Sequence, residues 1–286
     1  MTTREWTLGG GGTGPSIWDD GRVLDPSSVL LSDKVALVTG GARGIGAATA
    51  LALARFGADL AICDREADDM AATAAAVGDL GRRCVTGLLD VRDAEAREAW
   101  LAEVGEAYGR VDVLVNNVGG TFHAPFADIN PKGEAALIAE NFTQVTGFIR
   151  GCLPLMSEGG SIINVTSIEA HRAGPGFSIY SAMKAAQANL AKSLSLELAP
   201  AGIRVNCIAP DVIPTAGEGQ LGADGVEMVP GLASQPWPET GSVHDCAAAV
   251  VYLAGDMSRF VTGSTIHIDG GNLAAAGWKR HVPDHR

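Results

Sequence analysis

The stretch TGGARGIG occupies residues 39–46, between a short apolar segment at 34–39 and an alanine-rich apolar segment at 47–56. These patterns predict a strand that runs into a glycine turn and then into a helix. Glycines let the backbone turn tightly and approach a ligand, and the first turn of a helix presents free N–H groups at the positive end of its dipole. The stretch therefore predicts a pyrophosphate-binding turn, while an ordinary tight turn between a strand and a helix remains the alternative interpretation.

The glycine spacing separates this turn from two other phosphate-binding loops. The glycines at 40, 44 and 46 do not follow the common G-x-G-x-x-G pattern. The turn is also not a Walker loop, because no Gly-Lys-Ser or Gly-Lys-Thr follows it. The turn must therefore be interpreted together with the strand and the helix on either side of it.

Apolar strands and amphipathic helices alternate along most of the chain. Strands that are apolar throughout are typical of a parallel sheet covered on both faces, and right-handed crossovers between them produce a doubly wound sheet. We therefore predict an α/β, Rossmann-type fold with a mostly parallel sheet in a single domain that spans residues 33–272. The predicted strands are 34–39, 59–63, 84–89, 111–115, 161–166, 204–208 and 264–268, and the predicted helices are 47–56, 67–76, 94–108, 134–155, 179–198 and 244–254.

Three segments do not follow this alternation. Residues 1–32 combine a glycine run with two tryptophans, which indicates an irregular arm that is either a flexible leader or docked on a neighbouring subunit. Residues 211–240 form a long stretch with five glycines. Loops of that length in a compact domain are usually functional, so we predict a substrate lid there. Residues 273–286 are a predicted C-terminal tail.

The composition bears on partners and location. The chain has 286 residues and a formal net charge of −12, and no cluster of Lys and Arg supplies the basic face that nucleic acid requires. The acidity also disfavours an anionic membrane surface, and no apolar run approaches the ~20 residues of a membrane span. With no apolar signal-peptide core at 1–14, we expect a cytoplasmic protein. The five scattered cysteines and six histidines lack metal-ligand spacing, so no metal site is predicted.

A carboxylate follows the second predicted strand. Asp64 lies 18 residues after Gly46, where it can accept hydrogen bonds from both ribose hydroxyls of NAD and would repel the 2′-phosphate of NADP. Arg43 and Arg65 favour the opposite preference, because either guanidinium could bind a phosphate. We give Asp64 more weight, since a negative charge at the ribose penalises NADP directly, and we predict NAD as the cofactor, with NADP less favoured.

Tyr180 and Lys184 lie four residues apart on a predicted helix, so their side chains share one face. A phenol with a pKa near 10 is a poor base at pH 7. A neighbouring ammonium stabilises the phenolate and lowers that pKa, which makes the tyrosine a usable general acid/base. Ser167 closes the fifth predicted strand at the carboxyl edge of the sheet, where its hydroxyl could hold a substrate oxygen.

These motifs and their spacing resemble the short-chain dehydrogenase/reductase superfamily in its shorter, single-domain form, over residues 33–272. The T-G-x-x-x-G-x-G turn of that family is matched at 39–46, and its N-N-A-G stretch is matched at 116–119 with valine in place of alanine. Ser167 stands 13 positions before Tyr180, which is the spacing typical of the family. The Asp-Val that contacts adenine is matched by Asp90 and Val91, and the catalytic asparagine of the preceding long helix by Asn141.

The resemblance implies a role for each matched residue. Tyr180 would give or take the alcohol proton, and Lys184 would lower the pKa of the tyrosine and bind the nicotinamide ribose. Ser167 would orient and polarise the carbonyl, and Asn141 would hold a water that relays the proton to solvent. The nucleotide would supply the hydride. The implied cofactor-binding residues are Gly40, Arg43, Gly44, Ile45, Gly46, Asp64, Asp90, Val91, Asn117, Gly119, Tyr180, Lys184, Ile213 and Thr215.

The sequence departs from the family pattern after the sixth predicted strand. Pro-Gly is usual there, but Pro210 is followed by Asp211, while Thr215 keeps the place of the threonine that contacts the nicotinamide amide. Aspartate has less access than glycine to unusual backbone conformations, and it puts a carboxylate near the nicotinamide end. We therefore do not carry the family's detailed geometry over to this point, and we expect no anionic substrate group close to it.

Candidate walls of the substrate pocket lie at 120–126, 168–177 and 211–240. Their large apolar side chains predict a mostly apolar pocket, which is the normal character of small-molecule sites. Their polar side chains could orient a substrate or could be ordinary loop residues. The apolar candidates are Phe122, Phe126, Phe177, Met228 and Trp237, and the polar candidates are His123, Glu169, His171 and Arg172.

The helix predicted at 179–198 has small or apolar residues on more than one face, including Ala182, Ala185 and Leu190. Such a helix needs cover on both sides. The sheet covers one side, and either a second subunit or another helix of the same chain covers the other. The dimers and tetramers of the family imply a homo-oligomer.

The sequence favours an NAD(H)-dependent oxidoreductase that interconverts a secondary alcohol and a ketone on a mostly apolar, cyclic or steroid-like small molecule. Two alternatives remain open at this point. One is an NADPH-dependent 3-oxoacyl-thioester reductase of the fatty-acid type. The other is a non-catalytic, dinucleotide-binding regulator or scaffold, against which the complete set of Asn141, Ser167, Tyr180 and Lys184 argues.

Overall fold

Continuously apolar segments form a sheet whose two faces are both covered by helices. The computed structural model of the chain describes residues 25–211, 213–215 and 235–278. Within these ranges seven parallel strands lie in the order β3-β2-β1-β4-β5-β6-β7. The predicted α/β class, with a doubly wound parallel sheet in a single domain, is confirmed. The strands are β1 Val35–Thr39, β2 Asp59–Asp64, β3 Cys84–Leu88, β4 Val113–Asn116, β5 Gly160–Val165, β6 Ile203–Pro210 and β7 Thr265–Ile268.

The helices bury their apolar faces in two hydrophobic clusters, one on each side of the sheet. One cluster joins the sheet to α1, α2 and α7, and the other joins it to α3, α5 and α6. Helix α4 packs against α6. The helices are α1 Gly44–Arg55, α2 Ala67–Asp79, α3 Ala94–Tyr108, α4 Pro131–Ile138, α5 Gln144–Cys152, α6 Ser178–Glu197, α7 Val243–Ala254 and α8 Asn272–Ala275.

The long helix predicted at 134–155 is interrupted. Helix α4 begins at Pro131, after Asn130, whose side chain accepts the N–H of Gly133. A wide, π-type turn at Ala139–Thr143 then separates α4 from α5. Such turns hold one extra residue and are frequent at functional sites. The predicted range is helical throughout, but the wide turn within it was not predicted, because hydrophobic periodicity does not register a single inserted residue.

The strand order reverses between β1 and β4, which lie side by side although two strands separate them in sequence. In doubly wound sheets the connections leave such a pair in opposite directions, and a crevice opens beyond the carboxyl ends of the strands. Thr39, the last residue of β1, connects the end of β1 to the residues that follow β4. Its Oγ1 accepts the N–H groups of Asn117 at 3.0 Å and of Val118 at 3.2 Å. The sheet thus presents a crevice at the ends of β1 and β4.

Several predicted segments lie outside the described residues. These include positions 1–24 of the predicted arm, most of the predicted lid at 211–240, and the end of the tail after residue 278. The boundaries predicted for them stay predictions. In the part of the chain that is described, no helix is both long enough and apolar enough to cross a bilayer.

Phe148 provides a test of the packing beneath α5. Its side chain is fully buried and packs edge-to-face on Trp100, with ring centroids 6.2 Å apart. Phe148→Ala should lower the free energy of unfolding by about 3–5 kcal/mol, because it removes buried apolar area and leaves a cavity. Phe260→Ala makes the same change at a side chain that is 93% exposed, and should change stability by less than about 0.5 kcal/mol. Equal losses in urea unfolding of the two variants would contradict this packing.

Candidate active site

The glycine turn after β1 has the geometry that its sequence predicts. Gly40 and Gly44 have φ values of +69° and +59°, in the left-handed region that glycine tolerates best. A Cβ on Gly46 would lie 1.8 Å from the carbonyl oxygen of Gly40, so only glycine fits there. Helix α1 begins at Gly44, and no side chain at its N-cap, Arg43, bonds to its first turn. The free N–H groups of that turn suit a pyrophosphate.

A cleft of about 620 Å³ lies at this edge of the sheet. It extends from the glycine turn past the ends of β4 and β5 to the start of α6. Gly46 and Asn141 are the members of the predicted site that do not line it, because both are buried behind its wall. The predicted residues that line it are Gly40, Arg43, Gly44, Ile45, Asp64, Asp90, Val91, Asn117, Gly119, Ser167, Tyr180, Lys184, Ile213 and Thr215.

Asp64 closes β2 at one end of the cleft, and main-chain N–H groups hold its carboxylate. Oδ2 accepts the N–H of Ala42 at 3.0 Å, and Oδ1 accepts those of Arg65 at 2.7 Å and Glu66 at 3.2 Å. A carboxylate offers about four acceptor positions, so one on Oδ2 remains for a ligand hydroxyl. The side chain therefore fixes the glycine turn against α2 and can still bind a ribose.

Cations also line the end of the cleft near Asp64. The Arg43 guanidinium lies 3.5 Å from the carboxylate of Glu66, which offsets part of its charge. Asp90 forms a paired contact with Arg92, whose hydrogen bonds lower the pKa of Asp90 to about 2. Arg65 lines the cleft and also acts electrostatically on Asp90. Charges of both signs therefore surround the position expected for the adenosine ribose.

Lys184 is fully buried on α6, and its ammonium donates a hydrogen bond to the carbonyl oxygen of Val165 at 2.8 Å. Burial lowers the pKa of Lys184 to about 8. The Nζ atom lies 5.6 Å from the centre of the Tyr180 ring. A Cβ on Gly119 would lie 2.8 Å from this Nζ and 2.8 Å from Oδ1 of Asn141, so a larger residue there would displace one of these side chains.

Asn141 lies on the wide turn between α4 and α5, and hydrogen bonds hold it on several sides. Its Nδ2 donates to the carbonyl oxygens of Gly120 at 2.8 Å and Leu137 at 3.0 Å, and its Oδ1 accepts the N–H of Gly120 at 3.3 Å. The carbonyl oxygen of Asn141 accepts a hydrogen bond from Nε2 of Gln187 on α6. The wide turn is therefore tied to the loop after β4 and to the helix that carries Lys184.

Gln187 is a site residue that the sequence analysis missed. It follows Lys184 by one helical turn and is completely buried, so its amide faces the same interior as the ammonium. Buried amides are costly unless they are hydrogen-bonded, and a glutamine among alanines on the inner face of a helix is therefore unusual. This contrast between one glutamine and the alanines around it was the sequence signal that could have identified Gln187 as a site residue.

Asp211 directly follows β6, at the place of the family's glycine. In the described part of the chain the non-glycine residues with positive φ are Asp33 and Ala276, so Asp211 has an ordinary backbone conformation. Its Oδ1 accepts a hydrogen bond from Nη2 of Arg172 at 3.2 Å, and its Oδ2 accepts one from Nδ2 of Asn272 at 2.5 Å. The carboxylate thus joins the end of β6 to the segment after β5 and to α8.

The predicted apolar walls are mostly absent from the cleft. Of the five apolar candidates, Phe177 lines it, whereas Phe122, Phe126 and Trp237 are exposed elsewhere and Met228 lies outside the described residues. Carboxylates line the cleft near Ser167 instead, and they belong to Glu140, Glu169 and Asp211. Sequence position alone did not show which loop side chains turn inward. Among the residues that the structure describes, no three potential ligands from His, Cys, Asp and Glu come together as a metal site.

Lys184 should destabilise the fold at neutral pH. Its pKa is about 8 in the folded protein and ~10.4 in an unfolded chain, so below pH 8 both states are protonated and the folded state bears the full cost of a buried charge. From pH 8 to 10 the folded state loses the proton first, and this cost decreases. Lys184→Met should therefore raise the free energy of unfolding by about 2–3 kcal/mol at pH 7, and this gain should shrink towards pH 10.

The control for this measurement is Lys192→Met, which removes an exposed lysine from the same helix. Urea unfolding of nucleotide-free protein at pH 7, 8.5 and 10 compares the variants, and the control should show no such pH dependence. Destabilisation by Lys184→Met at pH 7 would show that the hydrogen bond to Val165 outweighs the cost of burial.

Comparisons with known proteins identify the family of the chain. A family model described as enoyl-(acyl carrier protein) reductase matches residues 40–272. An uncharacterized oxidoreductase of Mycobacterium tuberculosis is 38% identical over 244 residues, which cover 84% of this chain and 92% of that protein.

Two solved structures are similar throughout the domain. Carveol dehydrogenase from Mycobacterium avium, in complex with NAD, is 30% identical with a TM-score of 0.79, over 85% of this chain and 99% of that one. A 7α-hydroxysteroid dehydrogenase complexed with NADH and 7-oxo glycochenodeoxycholic acid is 26% identical with a TM-score of 0.83, over 87% and 98% of the two chains. On the family match and these likenesses, the chain belongs to the short-chain dehydrogenase/reductase family of oxidoreductases.

Proposed function

We propose that the protein interconverts a secondary alcohol and a ketone with NAD(H), on a mostly apolar, cyclic or steroid-like small molecule. The observation that carries this proposal is the position of Ser167, Tyr180 and Lys184 in the same cleft as the glycine turn and Asp64. A hydride acceptor held along that cleft would have its adenosine end at Asp64. The similarity to a carveol dehydrogenase and a hydroxysteroid dehydrogenase supports a cyclic alcohol as the substrate.

Tyr180 is the proposed general acid/base, and Lys184 is the charge that makes its phenolate accessible. The ammonium, 5.6 Å from the ring centre and shielded from water, stabilises a negative phenolate oxygen more than an exposed lysine would. Ser167 Oγ accepts the N–H of Glu169 at 3.2 Å, which leaves the hydroxyl proton for a substrate oxygen. The bound nucleotide supplies or accepts the hydride.

Asn141 is proposed to hold the water that relays the proton from Lys184 towards solvent. Oδ1 of Asn141 and Nζ of Lys184 both lie 2.8 Å from the point where Gly119 would carry a Cβ, so the two groups are close neighbours. The hydrogen bonds with Gly120 keep this side chain oriented, and the bond from Gln187 holds the main-chain carbonyl of Asn141. A relay at this place would not require Tyr180 to face solvent during turnover.

The proposed nucleotide is NAD, held along the residues that the cleft brings together. Gly40, Gly44 and Gly46 shape the turn for the pyrophosphate, with Arg43 and Ile45 beside it, and Asp64 would bind the ribose. Asp90 and Val91 stand where adenine is expected, and Lys184 where the nicotinamide ribose is expected. The remaining proposed contacts are Asn117, Gly119, Tyr180, Ile213 and Thr215.

An NADPH-dependent 3-oxoacyl-thioester reductase is the second candidate. The matching family model is described as enoyl-(acyl carrier protein) reductase, a 3-oxoacyl-[acyl-carrier-protein] reductase of Thermotoga maritima is 34% identical, and Arg43 and Arg65 both line the cleft near Asp64. Assays of one generic ketone with NADH and with NADPH, followed by an acyl thioester, separate the two candidates. A preference for NADPH together with the thioester would favour the second.

We also propose a homodimer or homotetramer. Leu196 on α6 is exposed, and Ala182 on the same helix is exposed as well. A neighbouring subunit would cover this face, although α4 already covers part of α6.

A cytoplasmic location stays a prediction from the sequence.

Tyr180→Phe tests the proposed chemistry. Removal of the phenolic proton should lower kcat/KM for a cyclic secondary alcohol or its ketone by about 10²–10⁴-fold, which is the usual contribution of general acid–base catalysis. Binding of NADH, followed by its fluorescence, should persist. Tyr252→Phe removes a hydroxyl from α7 and should retain nearly wild-type turnover. Turnover by Tyr180→Phe within a factor of three of wild type would show that another group transfers the proton.

Asp64→Asn tests the proposed cofactor preference. It keeps an acceptor oxygen for the main-chain N–H groups but removes the charge that would repel a 2′-phosphate. The ratio of kcat/KM with NAD to that with NADP should fall by about tenfold or more, mainly through improved use of NADP. Asp68→Asn removes the same charge from an exposed position on α2 and should leave the ratio unchanged. An equal ratio in both variants would refute the ribose role.

A further inference from the structure

Three charged side chains form a connected group at the end of the cleft opposite Asp64. Nη2 of Arg172 lies 2.9 Å from Oε1 of Glu169 and 3.2 Å from Oδ1 of Asp211. The second oxygen of Asp211 accepts a hydrogen bond from Asn272. One guanidinium therefore serves two carboxylates, and the group, which we call the Glu169–Arg172–Asp211 cluster, has a net negative charge.

The carboxylates of this cluster, and not its cation, line the cleft. Glu169 and Asp211 belong to the lining that also contains Ser167 and Tyr180, and Arg172 does not. Asp269, beyond the cluster, also acts on Arg172 electrostatically. Nε and Nη2 of Arg172 donate their hydrogen bonds to Glu169 and Asp211. A substrate at the tyrosine therefore faces negative charge.

The other charged groups near this end of the cleft increase the excess of negative over positive charge. Glu140 adds a third carboxylate to the lining. The cation nearest the reacting groups is Lys184, whose ammonium is buried and bonded to Val165.

We infer that Asp211, together with Glu169, determines substrate charge: the enzyme accepts uncharged ketones and alcohols and rejects those with a carboxylate close to the reacting carbon. This inference rests on the proposed function and adds the charge class of the substrate to it. A carboxylate placed beside Glu169 and Asp211 in a partly dehydrated cleft is repelled by both, and like charges in juxtaposition are an effective means of excluding a ligand. A neutral ring meets no such penalty.

A matched pair of probes isolates charge from shape. Methyl 3-oxocyclohexane-1-carboxylate is neutral, and 3-oxocyclohexane-1-carboxylate is its anion at pH 7. We expect the wild-type enzyme with NADH to reduce the ester with a kcat/KM at least about tenfold higher than that of the acid. Added salt should narrow this ratio, because it screens the repulsion.

Asp211→Asn and Glu169→Gln each remove one charge and retain the shape of the side chain. Each should lower the ratio of kcat/KM for the ester to that for the acid by about threefold or more, through faster reduction of the acid. Asp211→Gly is a second variant at the same position, for the case that an asparagine disturbs the contact with Asn272. Glu197→Gln removes a charge from the exposed end of α6 and should not change the ratio.

Two results would overturn the inference while leaving the proposed function intact. One is a wild-type enzyme that reduces the acid as well as or better than the ester, which would mean that Arg172 captures the anion. The other is an unchanged ratio in all three cluster variants that still reduce the ester. Failure of the wild-type enzyme to reduce either probe, or any of a panel of cyclic ketones with NADH or NADPH, would overturn the proposed function and this inference with it.

Discussion

The candidate site depends on a single positive charge held away from water. The ammonium of Lys184 is fully buried, and the hydrogen bond it makes to the protein is to a neutral carbonyl oxygen at the end of β5. A buried charge with so few compensating interactions is unfavourable in the folded state, and burial therefore lowers the pKa of Lys184 to about 8. A fold tolerates such a group when the surrounding packing is strong, and here both β5 and α6 contribute buried side chains to one of the two hydrophobic clusters.

Main-chain groups do much of the remaining positioning. Peptide N–H groups hold the carboxylate of Asp64, a peptide carbonyl holds Lys184, and both peptide groups of Gly120 hold Asn141. Groups fixed by a sheet or a helix cannot rotate as side chains do, so they orient their partners at little additional entropic cost.

The fold and the line of the cleft could be predicted from the sequence because they follow from local rules. The apolar strands, the glycines of the turn and the spacing of Tyr180 and Lys184 each carry their own physical signal. The partners of the charged side chains could not be predicted in this way. Asp211 and Arg172 are 39 residues apart in sequence, and only the pairing of β5 with β6 brings them together. The inward turn of Gln187, and the outward turn of Phe122 and Phe126, likewise depend on tertiary packing.

The wide turn at Ala139–Thr143 limits how this part of the chain can change by insertion or deletion. Loss of one codon there would restore a regular helix and improve its local backbone hydrogen bonding. The same loss would rotate α4 relative to α5 by about 100°, which is the angle per residue of an α-helix, and would shorten the element by about 1.5 Å. Asn141 would then swing away from Gly120 and Gln187. The irregularity is thus a one-residue phase shift between α4 and α5. A deletion that made this segment a regular helix would break the contact between Asn141 and α6, the helix that carries Lys184.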